Sequence, residues 1–183
     1  MQAIADINNQ KSITVAIISD THCQLNPGIL EVINQADIAV HAGDIGNASV
    51  LQQMRPKSGQ VFAVTGNNDH PVMWPPDQAA QLANIPKTVQ FKLPGGSIAV
   101  EHGDRHDMIK PDHASLRQAF PDARLIVYGH THKMVIDDET QPWVVNPGAA
   151  GYTRTHGGSS CLLLTTCESD WTIEYLHFLD EQV

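Results

Sequence analysis

Three short apolar runs in the first third of the chain alternate with stretches of helical character. The runs cover residues 13–18, 37–41 and 61–64 and are rich in Val, Ile and Ala, a composition typical of strands buried on both faces. The stretch 26–35 has clustered apolar residues and a proline after its opening asparagine, which is a helix-start signal. A second helix is expected over residues 47–54. The alternation predicts a βαβ core with parallel strands.

Each of the three predicted strands ends in a loop that carries carboxylate, imidazole or amide side chains. Asp20 and His22 follow the first strand, Asp44 follows the second, and Asn67 follows the third. Loops at the carboxyl ends of parallel strands gather at one edge of the sheet, where α/β folds place their sites. We therefore expect these four side chains to lie near one another.

The second half of the chain is rich in predicted strands. Strands are expected over residues 89–93, 97–100, 124–128, 143–145, 160–165 and 171–178, and a helix over 112–119. The strand at 97–100 leads into His102, and the strand at 124–128 leads into Gly129-His130-Thr131-His132. Two sheets packed face to face and flanked by helices are the expected architecture.

Chain length is consistent with one domain. A chain of 183 residues and 20.0 kDa can bury a sizeable core. We expect a short tail over residues 1–11 and a single domain over 12–183. No apolar run approaches the roughly 18 residues that a membrane span needs, and the first residues lack the basic start and apolar segment of a secretory signal.

Charge and cysteine content narrow the function classes. The formal net charge is −9 with no cluster of Lys or Arg, which disfavours duplex nucleic acid as a partner. Cys23, Cys161 and Cys167 are odd in number and lack CxxC spacing. This pattern favours reduced thiols in a cytoplasmic protein over disulfides or a structural zinc site.

Seven polar residues at predicted strand ends are candidate metal ligands. They are Asp20, His22, Asp44, Asn67, His102, His130 and His132. Singly, each has a simpler explanation, because an aspartate after a strand often caps a helix or forms a turn. Together they offer hard oxygens and imidazoles without a thiolate, which suits divalent Mn, Fe, Zn, Co or Ni. Seven ligands are too many for one tetrahedral ion and favour two ions that share a bridge.

The order of these motifs resembles that of the calcineurin-like metallophosphoesterase superfamily. The motifs are D-x-H from Asp20, G-D at Asp44, G-N-x-D from Gly66, H-G at His102 and G-H-T-H from Gly129, and the match covers residues 13 to about 154. Within that superfamily the chain is similar to the small single-domain phosphodiesterases of the YfcE type, which are relatives of the retromer scaffold subunit. The resemblance implies the metallo-dependent phosphatase fold, an α/β four-layer αββα sandwich of two mixed β-sheets flanked by helices.

The resemblance also implies a ligand set for each of two divalent ions. Asp20, His22, Asp44 and His132 would hold the first ion. Asp44, Asn67, His102 and His130 would hold the second, so that Asp44 bridges the pair. Manganese is the favoured metal, with Fe, Zn, Ni and Co as alternatives. The implied reaction is hydrolysis of a phosphodiester by attack of a metal-bound hydroxide.

Four side chains are the implied catalytic residues: Asn68, Asp69, His102 and His130. Asn68 departs from the superfamily motif, which usually has a histidine there, and an asparagine cannot donate a proton as an acid. Asp69 keeps its motif position and is expected to orient a neighbour. His70 and His106 are the histidines that could replace the missing acid. A structural or solvated role is expected for the other histidines outside the motifs, which are His41, His113, His156 and His177.

Three classes of function fit these patterns. The leading one is a metal-dependent phosphodiesterase acting on a small phosphodiester. A phosphomonoesterase or nucleotide phosphatase is an alternative, and so is a non-catalytic metal-binding scaffold related to the retromer subunit. The complete ligand set favours an enzyme. The absent basic surface disfavours a nuclease that acts on long substrates and leaves short nucleotides open as substrates. No membrane partner is expected, and a homo-oligomer is left open.

Overall fold

Ten strands and four short helices make up the computed structural model, which describes residues 11–179. The strands are β1 (Ser12–Ile18), β2 (Ile38–His41), β3 (Gln60–Ala63), β4 (Thr88–Leu93), β5 (Gly96–Glu101), β6 (Leu125–Val127), β7 (Met134–Asp137), β8 (Trp143–Pro147), β9 (Ser159–Cys167) and β10 (Trp171–Phe178). The helices are α1 (Pro27–Gln35), α2 (Ala48–Gln53), α3 (Ala79–Ala83) and α4 (His113–Ala119), and 3-10 turns cover Pro76–Gln78 and Asp104–His106. The predicted tail of residues 1–11 lies, apart from Lys11, outside the described residues.

The first sheet is mixed and has the strand order β10-β9-β1-β2-β3. β1, β2 and β3 run parallel, whereas β9 is antiparallel to β1 and β10 is antiparallel to β9. Ile18 lies opposite His41, and His41 lies opposite Ala63. The parallel strands therefore end level with one another, and the predicted βαβ core is confirmed.

The second sheet is also mixed and has the order β4-β5-β6-β8-β7. β5, β6 and β8 run parallel, and β4 and β7 are antiparallel edge strands. Val100, Val127 and Val145 are in register across the three parallel strands. The loops after β5 and β6, which carry the predicted histidine ligands, therefore begin at one edge of this sheet.

Side chains alternate between the two faces of each sheet, as strand geometry requires. In β1, Ile13, Val15 and Ile17 belong to the core between the sheets. Ala16 and Ile18 belong to a second cluster on the outer face, which they share with Ile29 and Ile33 of α1.

The outer face of the second sheet is covered in the same way. Ala99 of β5 and Ile126 of β6 pack with Leu116 of α4 and with Phe120. The order of layers is helix, sheet, sheet, helix, so the predicted four-layer sandwich is confirmed. Whether residues 12–183 form a single domain stays a prediction.

Three helices begin at side-chain caps that are visible in the sequence. Asn26 Oδ1 accepts a hydrogen bond from Gly28 N (2.9 Å), and Asp112 Oδ2 accepts one from Ser115 N (3.0 Å). Asn47 caps α2 in the same manner. Each cap satisfies a backbone N–H that has no partner within its helix, which determines where the helix begins.

Two elements escaped prediction because their sequence signals are weak. β7 is an edge strand whose residues are exposed or partly buried, so it lacks the continuous apolar run of a central strand. α3 has five residues, of which Leu82 is the buried one. A helix of this length shows no periodicity.

Two further observations concern the predicted state of the thiols and the predicted lack of a membrane span. Cys161 is buried, Cys167 is partly buried and Cys23 is exposed, and all three are free thiols, as predicted. Within residues 11–179, no helix combines the length and the apolar character needed to cross a bilayer.

Candidate metal centre

Loops from both sheets bring the predicted ligands together in one cluster. The loop after β1 carries Asp20 and His22, the loop after β2 carries Asp44, and the loop after β3 carries Asn67. The second sheet adds His102 after β5 and His130 with His132 after β6. His22 and His132, which are 110 positions apart in sequence, have Nε2 atoms 3.1 Å apart.

Five of the seven predicted ligands have left-handed backbone conformations. Their φ values are +54° for Asp20, +45° for His22, +54° for Asp44, +69° for His130 and +59° for His132. Such values cost a residue with a Cβ free energy, and they persist where the surrounding structure imposes them, often at functional sites. Backbone hydrogen bonds hold two of these residues in place. Asp20 N donates to Gly43 O (2.9 Å), and His22 N donates to Asp44 O (3.0 Å).

The first predicted ligand group is geometrically compact. One ligand atom from each of Asp20, His22, Asp44 and His132 can be chosen so that all four lie within 4.8 Å of one another. His132 Nδ1 donates to Thr153 O (2.7 Å), and Arg154 donates to His132 Nε2 (3.1 Å). Nε2 of His132 therefore carries the lone pair that a metal ion needs.

Burial controls protonation in this first group. Asp20 is fully buried, and its Oδ1 has no hydrogen-bond partner among the described residues. Burial raises the pKa of Asp20 to about 7 and lowers the pKa of His132 to about 4. It also lowers the pKa of His22. Asp20 Oδ1 lies 3.4 Å from His132 Nε2. Neutral imidazoles beside a buried carboxylate oxygen that accepts no hydrogen bond fit a divalent cation.

The second predicted group meets at the side-chain oxygen of Asn67. Asn67 Oδ1 lies 2.8 Å from His130 Nδ1 and 3.2 Å from His102 Nε2, and His102 Nε2 lies 3.4 Å from Asp44 Oδ1. The opposite ring nitrogens donate to backbone carbonyls, His102 Nδ1 to Ala42 O (2.8 Å) and His130 Nε2 to Met108 O (2.8 Å). When both rings are neutral, His102 Nε2 and His130 Nδ1 have no proton, so their lone pairs point at the Asn67 and Asp44 oxygens. Lone pairs that face one another in this way suit a cation bound between them.

The charge balance of the second group involves a proton on His102. Burial lowers the pKa of His102, but the hydrogen bond to Asp44 and the charges of Asp20 and Asp44 outweigh burial and raise the pKa to about 9. The carboxylates thus attract a positive charge to this point of the structure. A divalent ion coordinated at Nε2 would take the place of that proton.

Asp44 lies between the two groups. Its Oδ2 is 3.7 Å from His22 Nε2, and its Oδ1 is 3.4 Å from His102 Nε2. Asn68 donates to both oxygens, from its backbone N (2.9 Å) and from its Nδ2 (2.6 Å). Burial alone would raise the pKa of Asp44, but His102 and Asn68 together hold it well below its usual range.

Asp69 holds the backbone of two ligand-bearing loops through hydrogen bonds. Its buried carboxylate accepts hydrogen bonds from the backbone N–H groups of Ile45, Gly46 and Gly66 and from the indole N–H of Trp74, at 2.8–3.0 Å. Ile45 follows Asp44, and Gly66 precedes Asn67. Asp69 therefore links the loops that carry these two predicted ligands, and its role in catalysis stays a prediction.

Gly66 is required by the close approach of these loops. A Cβ atom at this position would collide with the Asp44 carboxylate and would lie 2.8 Å from His102 Nε2. Real Cβ atoms do not approach other atoms so closely, so a side chain here would displace two predicted ligands.

His41 is a buried support that the motif pattern does not identify. Gly43 N donates to His41 Nδ1 (3.2 Å), so Nε2 carries the proton and donates to Thr21 Oγ1 (2.9 Å). The Thr21 hydroxyl in turn donates to Ile45 O (3.0 Å). Burial lowers the pKa of His41 to about 4. The structural role expected for this histidine agrees with these contacts, which tie the loops after β1 and β2 together.

Two cavities adjoin the cluster, with volumes of about 930 Å³ and 370 Å³. The larger one is lined by Lys110, Lys133, His113 and Arg154 in addition to predicted ligands. Sequence reasoning did not select Lys110, Lys133 or His113 as site residues. No motif spacing marks them, because they reach the site from α4 and from loops whose positions depend on packing.

The two histidines proposed to replace the missing acid lie elsewhere. His70 is exposed, and His106 has its Nε2 3.0 Å from Glu101 Oε1 and its Nδ1 2.6 Å from Ser115 Oγ. Neither is among the described residues that line the two cavities. His113 does line the larger cavity, and its ring is oriented by Asp137 Oδ2 at Nδ1 (2.6 Å).

Comparison with known proteins identifies relatives over most of the chain. The sequence model of the calcineurin-like phosphoesterase superfamily domain matches residues 13–169. The chain is 26% identical over 149 residues to the probable metallophosphoesterase MJ0623 of Methanocaldococcus jannaschii, covering 76% of this chain and 69% of that protein. It is 25% identical over 148 residues to the phosphodiesterase MJ0936 of the same organism, covering 75% of this chain and 85% of that protein.

Solved structures share the fold at lower identity. Vacuolar protein sorting 29 from Cryptosporidium parvum superposes with a TM-score of 0.71 at 18% identity, over 93% of this chain and 100% of that one. An archaeal phosphodiesterase superposes with a TM-score of 0.64 at 20% identity, over 90% of this chain and 100% of that one. These identities show a common fold, which hosts different functions.

Proposed function

Because the chain belongs to the calcineurin-like phosphoesterase superfamily, we propose that it is a dinuclear metal-dependent phosphodiesterase acting on small phosphodiesters. The observation that carries this proposal is the first ligand group, in which ligand atoms of four side chains from three loops lie within 4.8 Å of one another and a buried Asp20 oxygen accepts no hydrogen bond. An interaction scaffold does not need a buried carboxylate held in this costly state.

We assign the first ion to Asp20, His22, Asp44 and His132 and the second to Asp44, Asn67, His102 and His130. Manganese is the favoured metal, and Fe, Zn, Ni and Co have the same ligand preferences. When bound, the two ions supply a water of lowered pKa and positive charge against the phosphate oxygens.

The protein's own residues orient this chemistry. Asn68 holds the Asp44 carboxylate through two hydrogen bonds (2.9 and 2.6 Å), so Asp44 keeps one orientation between the two groups. Arg154 lines both cavities, and its guanidinium can contact a phosphate that lies between them. Asp69 fixes the loops that carry Asp44 and Asn67 rather than contacting the substrate.

The Asn68 position does not supply an acid to protonate the leaving group. Asn68 has no acidic proton, and its amide is already directed at Asp44. The enzyme should therefore prefer diesters whose leaving groups depart as anions, such as aryl diesters.

The test is a metal and substrate screen on chelated, reconstituted protein. We expect about two Mn ions per chain by elemental analysis after desalting and hydrolysis of bis(4-nitrophenyl) phosphate. Asp44→Asn and His130→Ala should each lose more than about tenfold in activity. His177→Ala, which removes an exposed imidazole from β10, is the matched control and should retain activity. A stoichiometry near zero or one would contradict the dinuclear assignment.

A non-catalytic scaffold and a phosphomonoesterase are the competing functions. Vacuolar protein sorting 29 structures share this fold, so the fold does not decide between enzyme and scaffold. Metal binding without turnover of any diester or monoester would favour the scaffold. Faster turnover of 4-nitrophenyl phosphate than of the diester would favour the monoesterase.

A further inference from the structure

The two cavities beside the cluster lie next to different ligands. The larger, of about 930 Å³, is lined by Asn67 and His130, and the smaller, of about 370 Å³, is lined by His22. Asn68 and Arg154 line both cavities. A phosphodiester has two substituents on one phosphorus atom. A phosphate held where the cavities meet would direct one substituent into each.

The larger cavity concentrates positive charge in an acidic protein. Lys110, Lys133 and Arg154 line it, in a chain with 11 Lys and Arg residues and a net charge of −9. Neither lysine forms an ion pair within the part of the chain that the structure describes. The one carboxylate in the lining is Asp44, which belongs to the metal cluster. The two ammonium groups are therefore free to bind an anion of the ligand.

The same cavity has an apolar wall. Pro111 and Tyr128 are buried, and Val135 is partly buried. The Tyr128 hydroxyl lies 3.1 Å from His113 Nε2, so its hydrogen-bonding capacity is used within the wall. Apolar walls combined with cationic side chains suit a flat organic group that carries a negative charge.

The smaller cavity has a different character. Cys23, Met73 and Thr153 line it beside His22, and none of its lining residues within the described range is a lysine. Its volume is less than half that of the larger cavity. It suits a smaller, uncharged substituent.

We propose that the larger cavity is a subsite for a substituent that bears its own phosphate, so that the substrate is an unsymmetrical diester of the phosphorylated-nucleoside class. This inference rests on the proposed phosphodiesterase function and specifies its substrate. Lys110 and Lys133 bind the second phosphate, while the wall formed by Pro111, Tyr128 and Val135 contacts the base or sugar.

Equilibrium binding tests the subsite without requiring turnover. Calorimetry on the full Mn-loaded chain compares thymidine 5′-phosphate with thymidine 3′,5′-bisphosphate. The bisphosphate should bind about two- to thirtyfold more tightly, the range that two exposed ion pairs give together. The double variant Lys110→Met, Lys133→Met should bring this ratio close to one. Lys57→Met removes an exposed lysine that lines neither cavity and should keep the parent ratio.

Three outcomes would overturn the subsite: a parent ratio of one or less, a ratio that survives in the double variant, or an equal loss in Lys57→Met. The KM values of thymidine 5′-(4-nitrophenyl phosphate) with and without a 3′-phosphate give the kinetic counterpart. A binding ratio without turnover of either ester would refute the phosphodiesterase function and leave the subsite standing. Turnover with a ratio of one would refute the subsite alone.

Discussion

Replacing Asp69 with asparagine would show how the loops after β2 and β3 hold the predicted metal ligands Asp44 and Asn67. The Asp69 carboxylate accepts from the backbone N–H groups of Ile45, Gly46 and Gly66 and from the Trp74 indole. Asparagine keeps one acceptor oxygen. If that oxygen takes the place of Oδ1, the new NH₂ group faces the Gly66 N–H, and two donors point at each other.

The cost follows from these contacts. Leaving the buried Gly66 N–H without an acceptor costs about 1–3 kcal/mol, and hydrogen bonds to a neutral amide are weaker than those to a carboxylate. We therefore expect the free energy of unfolding to fall by about 2–4 kcal/mol. Because Asp44 and Asn67 adjoin the affected donors, Mn affinity should fall about 10- to 100-fold, as is typical for partners that orient ligands.

Urea unfolding of protein from which metal has been removed by a chelator measures the free energy of unfolding. Mn titration of the folded variants separately measures the metal affinity. Asp37→Asn is the matched control, since the Asp37 carboxylate accepts from Thr14 N and Thr14 Oγ1 (2.8 Å each) at the amino end of β2. Both Thr14 donors bind the same oxygen, which the asparagine amide oxygen can replace, so this control should lose little stability and keep the parent's Mn affinity. Parent-like Mn affinity in Asp69→Asn, or equal weakening in both variants, would refute the reasoning.

Further predictions concern protonation, the leaving group and the core. Burial raises the pKa of Asp20 from 3.8 to about 7, so metal-free protein should lose stability as pH rises through that window. Asp20→Asn should unfold at higher urea than the parent at pH 8, with a gain that shrinks toward pH 4.5; a pH-independent gain would contradict this. Because Asn68 cannot protonate a leaving group, the rate of the chemical step should fall steeply with leaving-group pKa across aryl and alkyl diesters. A flat series would instead implicate His113, which lines the larger cavity. Leu116→Ala should cost about 2–5 kcal/mol in urea unfolding by opening a cavity between α4 and the second sheet, while the Mn stoichiometry stays at the parent value; a changed stoichiometry would show that core and site are coupled.

Much of the architecture is determined by signals that act over a few residues. Apolar runs such as 13–18 predict buried strands, and Asn26 and Asp112 predict helix starts, because strand periodicity and capping depend on near neighbours. The candidate metal ligands directly follow these strands in the sequence, and the resemblance to the superfamily motifs implies their assignment to two ions. The first group converges in the structure as expected, since strands that run parallel and end level must present their loops at one edge.

Tertiary structure decided what depends on contacts between distant segments. Three contacts result from packing two sheets and their loops together. Asp69 links two loops, His41 connects Thr21 to Gly43, and Lys110 and Lys133 line one cavity. No local pattern encodes such contacts, because a lysine in a surface loop has the same sequence signature wherever the loop lies. The sequence alone therefore determines the order of the motifs along the chain and the chemistry of the predicted ligands. The shape and charge of the space beside them, on which the proposed substrate preference depends, exist only once the sheets have packed.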